Sequence, residues 1–356
     1  MTNATPFLSP SDAPWADACE DFSASHLWFS LAATAALPPG RHAEATQSAG
    51  LWLLLARKGL QRDSLTTPYT QSWAPLAAPG ADWRRGGQEL GRLWRGTPPG
   101  RLDTLDPSLP NLDAFEAGLR AAGLRTRRYA HLGQWHETWP EGISWKDYLV
   151  SRPPALHNTL RRKLARAGRE FRFLRHDAPG TELEAGIAAF EAVRARSWKP
   201  DEPFPAFDSA LMRVLAPLGL LRLGVLEDAT GKPVAAQYWL LDQGGRRALL
   251  PKLFHDEAAK AASPGSALTA LMLQGLLDED GVHTLDFGRG DDAYKRLWVA
   301  HRRQRIGLLL ADPRHPAGLW ALARHASGVL RRRIRDVPTS AAALYSDPAE
   351  ARRPSA

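Results

Sequence analysis

LRLGVLEDATGKPVAAQYWLLDQGGRRALLPKLFH, residues 221–255, decides the fold. It holds three strand-like runs, Leu221–Asp228, Pro233–Asp242 and Arg246–His255, separated only by ATGKP and QGG. Connections that short close hairpins and cannot carry a helical crossover, so the three runs are read as antiparallel neighbours. Downstream, SPG at Ser263–Gly265 opens a helix, SALTALMLQGLLDEDG. A strand (HTLDFGRG, His283–Gly290), a short helix (DDAYKRLWV) and a last strand (RQRIGLLLAD) follow. Upstream, EFRFLR at Glu170–Arg175 alternates as a strand, and Thr181–Trp198 repeats Leu183, Ile187, Phe190, Val193 and Trp198 at helical spacing. A second helix covers Asp208–Leu218. The order β-α-α-β-β-β-α-β-α-β excludes a doubly wound parallel sheet and predicts an α/β fold with mixed, mostly antiparallel sheets.

The rest of the chain bounds this core. Its 356 residues exceed the usual size of one domain, so two are expected, with a boundary near Val150 where SRPP (Ser151–Pro154) interrupts helix continuity. The stretch Pro79–Pro110 reads as loop-rich, and the last ten residues as a frayed tail. With 44% apolar and 24% charged residues the composition is that of a folded globular protein. One cysteine, Cys19, excludes an intrachain disulfide and a thiolate-rich zinc site, and no metal is expected. The longest apolar run, Leu51–Ala56, is strand-sized, and the start lacks a basic region followed by an apolar one, so the expectation is a cytoplasmic protein.

Two stretches carry chemistry. In PKLFHDEAAKAASPGSAL (251–268) a strand ends, a polar loop follows, and a helix begins near Pro264 with Ser263 as its expected N-cap. Such a start presents free N–H groups and a positive dipole end, which suits a pyrophosphate. Gly265, Ser266 and Ala267 are small enough to let one approach, and Lys252 lies at the strand end. In LDFGRGDDAYKRLW (285–298), two glycines bracket Arg289, and Asp286, Asp291, Tyr294 and Lys295 crowd a strand's C-terminal end. An ordinary cap, a structural carboxylate and a packed aromatic would explain the same residues without function.

These residues resemble the GNAT superfamily of N-acyltransferases, in its FemAB-like, CelD/BcsL-type branch. The motifs that carry the resemblance are K-x-x-x-D-E followed by S-P-G (Lys252–Gly265), D-F-G-R-G-D (Asp286–Asp291) and Y-K-x-x-W (Tyr294–Trp298). RPPALHNTLRRKLARAG (Arg152–Gly168) and SLTTPYTQSWAPL (Ser64–Leu76) look like the same branch. The resemblance implies two tandem GNAT-like domains, a degenerate one over 1–150 and a catalytic one over 151–312. It implies acyl-CoA, or an acyl carrier, as donor, transfer to an amine without a covalent intermediate, and Tyr294 as the acid that protonates the leaving thiolate. Lys295 would contact an anionic group, and Arg289 and Asp291 the substrate. Gly265 and Ala267 fit the family's pyrophosphate loop, but Ala262 stands where it has Gln or Arg. A base for the amine is sought among His255, Asp256 and Asp286, and oxyanion donors in the backbone near Leu250–Lys252. A tRNA-dependent aminoacyltransferase of the Fem type and a non-catalytic accessory protein of polysaccharide export are the alternatives.

Charge clustering bears on partners. Residues 157–176 hold seven cations and one acid, so Arg161, Arg162 and Lys163 are candidates, at least one of them facing an anionic substrate or cofactor phosphate, while nucleic acid is disfavoured as a partner. Residues 313–356 read as a basic amphipathic helix and a flexible tail. Leu319, Leu322, Ala323, Ala326, Val329, Leu330 and Ile334 make one stripe, with Arg331, Arg332, Arg333 and Arg335 at the end. Such a helix either lies peripherally on an anionic bilayer, as suits a lipid acceptor, or covers a flank of its own domain. The acceptor is read as a small-molecule or lipid amine.

Overall fold

The computed structural model describes residues 13–15, 22–198 and 202–335, the side chains of 155, 243 and 328–335 excepted. The chain begins with α1 (His26–Ala35) and an antiparallel meander, β1 (His42–Ser48), β2 (Leu51–Lys58) and β3 (Gln61–Ser64), to which β4 (Leu76–Ala77) adds by pairing with β2. Next come α2 (Trp83–Gly91), β5 (Gly100–Leu105), α3 (Leu112–Ala121), β6 (Arg125–Thr138) and α4 (Trp145–Val150). The rest runs α5 (Pro154–Glu170), β7 (Phe171–Arg175), α6 (Thr181–Arg194), α7 (Ala206–Leu215), β8 (Leu221–Asp228), β9 (Pro233–Asp242) and β10 (Arg247–His255). It closes with α8 (Pro264–Asp278), β11 (Thr284–Arg289), α9 (Lys295–Trp298), β12 (His301–Ala311) and α10 (Pro316–Arg335).

From β7 onward the element order is the one read from the sequence. Between Pro79 and Pro110, however, lie a helix and a strand rather than loop. The glycines of α2 misled because they serve packing, not turning. A Cβ on Gly87 would stand 2.3 Å from the Phe115 carbonyl oxygen, and one on Gly118 of α3 would stand 2.1 Å from that of Arg84. Only hydrogen fits where these two helices cross.

The main sheet has eight strands in the order β5-β12-β6-β11-β10-β9-β8-β7. All neighbours are antiparallel except β10 and β11. β5 and β6 precede Val150, so the sheet draws strands from both sides of that position. Strand β9 is buried almost throughout because helices cover both its faces. On one face Phe190 of α6 meets Tyr238 at 5.7 Å between ring centres; on the other, Gln237 donates to the Leu268 carbonyl of α8.

The parallel pair is short. Its register runs Arg247↔Thr284, Ala248↔Leu285, Leu249↔Asp286 and then stops. Both strands are irregular at that point. β10 bulges between Leu249 and Lys252, around Pro251, which has no N–H to give to a ladder. β11 bulges between Asp286 and Arg289, where Gly288 takes φ +67° and a Cβ would stand 2.8 Å from the Leu250 carbonyl oxygen. The two strands therefore part beyond Leu249 and Asp286.

Candidate active site

A cavity of about 730 Å³ lies where β10 and β11 have parted, on the face covered by α5 and α8. Leu253 and His255 of β10 form its floor, because they share the face of Gln237 that looks toward α8. The start of α8 (Ser263, Pro264, Gly265, Ser266) and one side of α5 (Leu156, Thr159, Leu160, Lys163) form its walls. Tyr294, Leu297 and Trp298 close it from the β11 side, and Trp198, half exposed, covers His255 with ring centres 4.2 Å apart. A volume within about 300–1,000 Å³, largely apolar walls and a few polar groups are the ordinary make-up of a small-molecule site.

Its polar end is the start of α8. Ser263 is not the expected side-chain cap: it takes a left-handed conformation, φ +53°, and makes no capping bond. Its carbonyl instead accepts from the N–H groups of Ser266 and Ala267 at 3.2 and 3.3 Å. Ala267 is buried behind the rim and does not line the cavity. Gly265 keeps the rim low: a Cβ there would sit 3.5 Å from the His255 ring. Lys163 reaches across from α5, its Nζ donating to the Ser266 hydroxyl at 3.3 Å. Burial, and then the neighbouring Arg162, push this ammonium below the usual lysine range. Lys260 adds a second cation, held 3.4 Å from Glu257. Two cations and a helix N-terminus face the same space.

Tyr294 and His255 are thus brought together with Ser263, Gly265 and Ser266 as the sequence suggested. Burial, and next the charge of Asp292, raise the Tyr294 phenol far above the ordinary tyrosine range. It stays protonated throughout neutral pH.

The other candidates lie elsewhere, each for a physical reason. Asp256 is buried outside the cavity, accepting from Arg196 at 2.8 Å, Lys232 at 2.9 Å and the Ala258 N–H at 2.9 Å. Burial alone would raise its carboxyl, but these donors override it and hold it at about 2. It caps a turn. Asp286 is fully buried on the opposite face of the sheet, accepting from Arg247 at 3.0 Å, from Arg303 and from the Gly288 N–H at 2.9 Å. Neither carboxylate is poised as a base toward the cavity. Lys252 faces the same opposite side, paired with Glu202 and 4.6 Å over the Tyr69 ring.

Lys295 is turned inward, donating to the Arg289 carbonyl at 2.6 Å and the Gly290 carbonyl at 3.4 Å, with Asp292 at 3.4 Å. It fastens the turn that presents Tyr294. Arg289 donates to the Pro68 carbonyl at 2.5 Å, and Asp291 binds Arg302 at 2.6 Å. Arg161 and Arg162 are exposed and do not line the cavity; their neighbour Lys163 does. Of the same basic run, Arg166, Arg172 and Arg175 are paired with acids.

Sequence reasoning did not assign Trp198, Lys260 or Leu156, Thr159 and Leu160 of α5 to the site. Of the three basic residues it named on that helix, Lys163 is the one set among Leu156, Leu160 and Leu164 on one helical side. It also missed a cluster of three arginines, Arg247, Arg303 and Arg305, around a 250 Å³ cavity on the Asp286 side of the sheet, with Gln134 accepting from two of them. Burial pushes Arg303 down to about 10. Among the described residues no three His, Cys, Asp or Glu side chains gather to hold a metal.

Comparison with known proteins bears on the fold. Residues 156–296 match the family model of the acetyltransferase (GNAT) domain. The C-terminal DUF2156 domain assigned to a lysylphosphatidylglycerol synthetase of Agrobacterium fabrum is similar in fold. Its identity is 15%, its TM-score 0.51, and the match covers 82% of this chain and 88% of that one. FemX is similar at 12% identity and TM-score 0.52, over 87% of this chain and 96% of its own. A conserved protein of Bacteroides thetaiotaomicron follows at 11% identity and TM-score 0.50, over 85% and 94%. At such identities the likeness is one of fold. No curated protein matches in sequence.

Proposed function

The chain carries the acyltransferase domain of the GNAT superfamily, and on that premise we propose that it moves an acyl group from a coenzyme A thioester to an amine, with no covalent intermediate on the enzyme. The observation that carries the reading is the cavity at the parted strands. Its polar end offers Lys163, Lys260 and the first turn of α8 to phosphates, and its apolar length runs to Tyr294. Lys163 has no acid partner among the described residues, so an incoming phosphate would supply the counter-charge a part-buried ammonium lacks. The missing Gln or Arg at Ala262 is offset by this lysine, which comes from a different helix.

The thioester supplies an electrophilic carbon and a thiolate leaving group. The chain's own groups do the rest. The β10–β11 ladder ends at Leu249, and we assign the oxyanion to backbone N–H groups near Leu250 and Lys252, between which Pro251 contributes none. Tyr294 stays protonated and donates to the departing sulfur. With its acidity lowered, it acts as a hydrogen-bond donor first and gives up its proton only as the thiolate is released. Among the three proposed bases only His255 lines the cavity, and it serves the amine there, directly or through water.

A Fem-type tRNA donor fits less well, because three arginines of the α5–β7 run are spent on neighbouring acids and leave no continuous track for phosphates. Calorimetry with coenzyme A tests the reading. Coenzyme A should bind, and Lys163→Ala should weaken it by about tenfold, the usual worth of a charge-assisted contact of about 1.4 kcal/mol. Absence of binding to both coenzyme A and acetyl-CoA would discard the donor.

A further inference from the structure

The cavity of about 250 Å³ on the Asp286 face of the sheet is turned away from the active site. One wall is made by Arg247 of β10 with Arg303 and Arg305 of β12. Facing them are Ser72, Trp73 and Ala74, from the 64–76 segment to which the proposed reaction gives no part. That segment is fixed in place: the Trp73 backbone N–H donates to the Thr104 carbonyl at 3.2 Å, and its indole N–H to the Leu54 carbonyl at 3.1 Å.

The acids near these arginines are turned away from the cavity or already filled. One oxygen of Asp286 accepts from both Arg247 and Arg303, and the other takes the Gly288 N–H. Asp106 lines the cavity, but Ser108 donates to one of its oxygens at 2.9 and 2.6 Å, and Arg305 to the other. Asp242 is buried, 3.8 Å from Arg247. The donors exceed these acceptors, because each guanidinium carries five N–H groups in a rigid fork. Arg303 donates through Nε to Gln134 and through Nη2 to Asp286; Arg305 donates through Nε to the same Gln134 oxygen and through Nη1 to Asp106. Nη1 of Arg303 and Nη2 of Arg305 donate to no group among the described residues. Arg305 is only 5% exposed, and a charged group buried that far needs partners for its remaining donors. Burial first, and then the charges of Arg305 and Arg247, push Arg303 down to about 10 against the pull of Asp286.

We propose that this cavity binds a small oxyanion, the carboxylate or phosphate group of a small molecule, at the forks of Arg303 and Arg305. Planar guanidinium groups match the oxygens of either group in paired, charge-assisted bonds. The buried Gln134 oxygen holds both Nε atoms and so sets the two forks side by side. A cationic ligand would meet three guanidinium groups and one lining acid whose oxygens are both taken. The volume equals that of about eight waters, room for inorganic phosphate or a short dicarboxylate and too little for a nucleotide or a coenzyme. The site is separate from the Lys163 end of the active-site cavity, and the inference does not depend on the acyl donor.

The test is calorimetry and thermal melting of the full chain with inorganic phosphate and with succinate, at ionic strength held constant with sodium chloride. At least one of the two should bind saturably and raise Tm as its concentration rises; the tighter of the two assigns the group. Arg305→Gln should weaken that binding by about tenfold, the loss of one charge-assisted contact, while Lys163→Ala leaves it unchanged. Ser72→Asp guards against an arginine variant that fails to fold. It places a carboxylate on the wall facing the forks, and should abolish anion binding with Tm equal to or above that of the parent. Absence of binding to both anions would overturn the proposal. So would binding that Lys163→Ala abolishes, which would assign the anion to the start of α8, or binding that survives Ser72→Asp.

Discussion

Asp286→Asn separates a structural carboxylate from a catalytic one. Asp286 has no exposed surface and accepts from two guanidinium groups and one backbone N–H. Asparagine keeps the shape and an oxygen for the Gly288 N–H, but removes the charge that Arg247 and Arg303 share. Removing one member of a fully buried pair costs about 3–5 kcal/mol, because the remaining charge stays behind uncompensated. Here the side chains of Arg247 and Arg303 retain 28% and 27% of their exposure, so water screens part of that cost and about 2–4 kcal/mol is expected. If the chain melts as one unit, an entropy of about 2.1 cal/mol/K per residue makes a 3 kcal/mol loss a fall of about 4 °C in Tm. Urea titration followed by tryptophan fluorescence would read the same loss as a shifted midpoint. Turnover of the folded variant should change by no more than a few-fold. A variant as stable as the parent but slowed a hundredfold or more would refute the reasoning and return Asp286 to the role of base.

Other consequences are as direct. Tyr294→Phe keeps the ring against the cavity wall and removes the proton, so kcat should fall by about ten- to a thousandfold with KM for the donor little changed; equal activity across the pH range would dismiss the acid role. Asp256, held at about 2 against an ordinary 3.8, contributes stability that is complete above about pH 4 and lost as pH falls toward 2. Asp256→Asn should therefore lower stability at pH 7 and flatten its dependence on pH between 4 and 2, measured by urea midpoints. Gly118→Ala drives a methyl group against the Arg84 carbonyl and should cost at least about 2 kcal/mol in the same assay. A neutral result would mean that α2 and α3 do not cross so closely.

What could be read from the sequence and what could not divides by the distance over which each feature is decided. The hairpins from Leu221 to His255, the helix start at Pro264 and the turn before Tyr294 are local: alternation, short connections and a proline in the first helical turn mark them where they stand. Helix α2 was hidden because its glycines answer to α3 about thirty residues on, not to their own neighbours. β5 and β6 were invisible as members of the main sheet because their partner, β12, lies far along the chain. The site follows the same rule. Tyr294 and Gly265 announce themselves, Lys163 is told from Arg161 and Arg162 only by the fold, and Trp198 enters from another element. Asp256 and Asp286 each look like a base beside a catalytic motif. Each is neutralised by arginines, Arg196 for one and Arg247 and Arg303 for the other, that only the folded sheet brings near. A carboxylate becomes a base or an anchor according to who sits opposite it, and that partner is chosen by strand pairing rather than by the residues alongside.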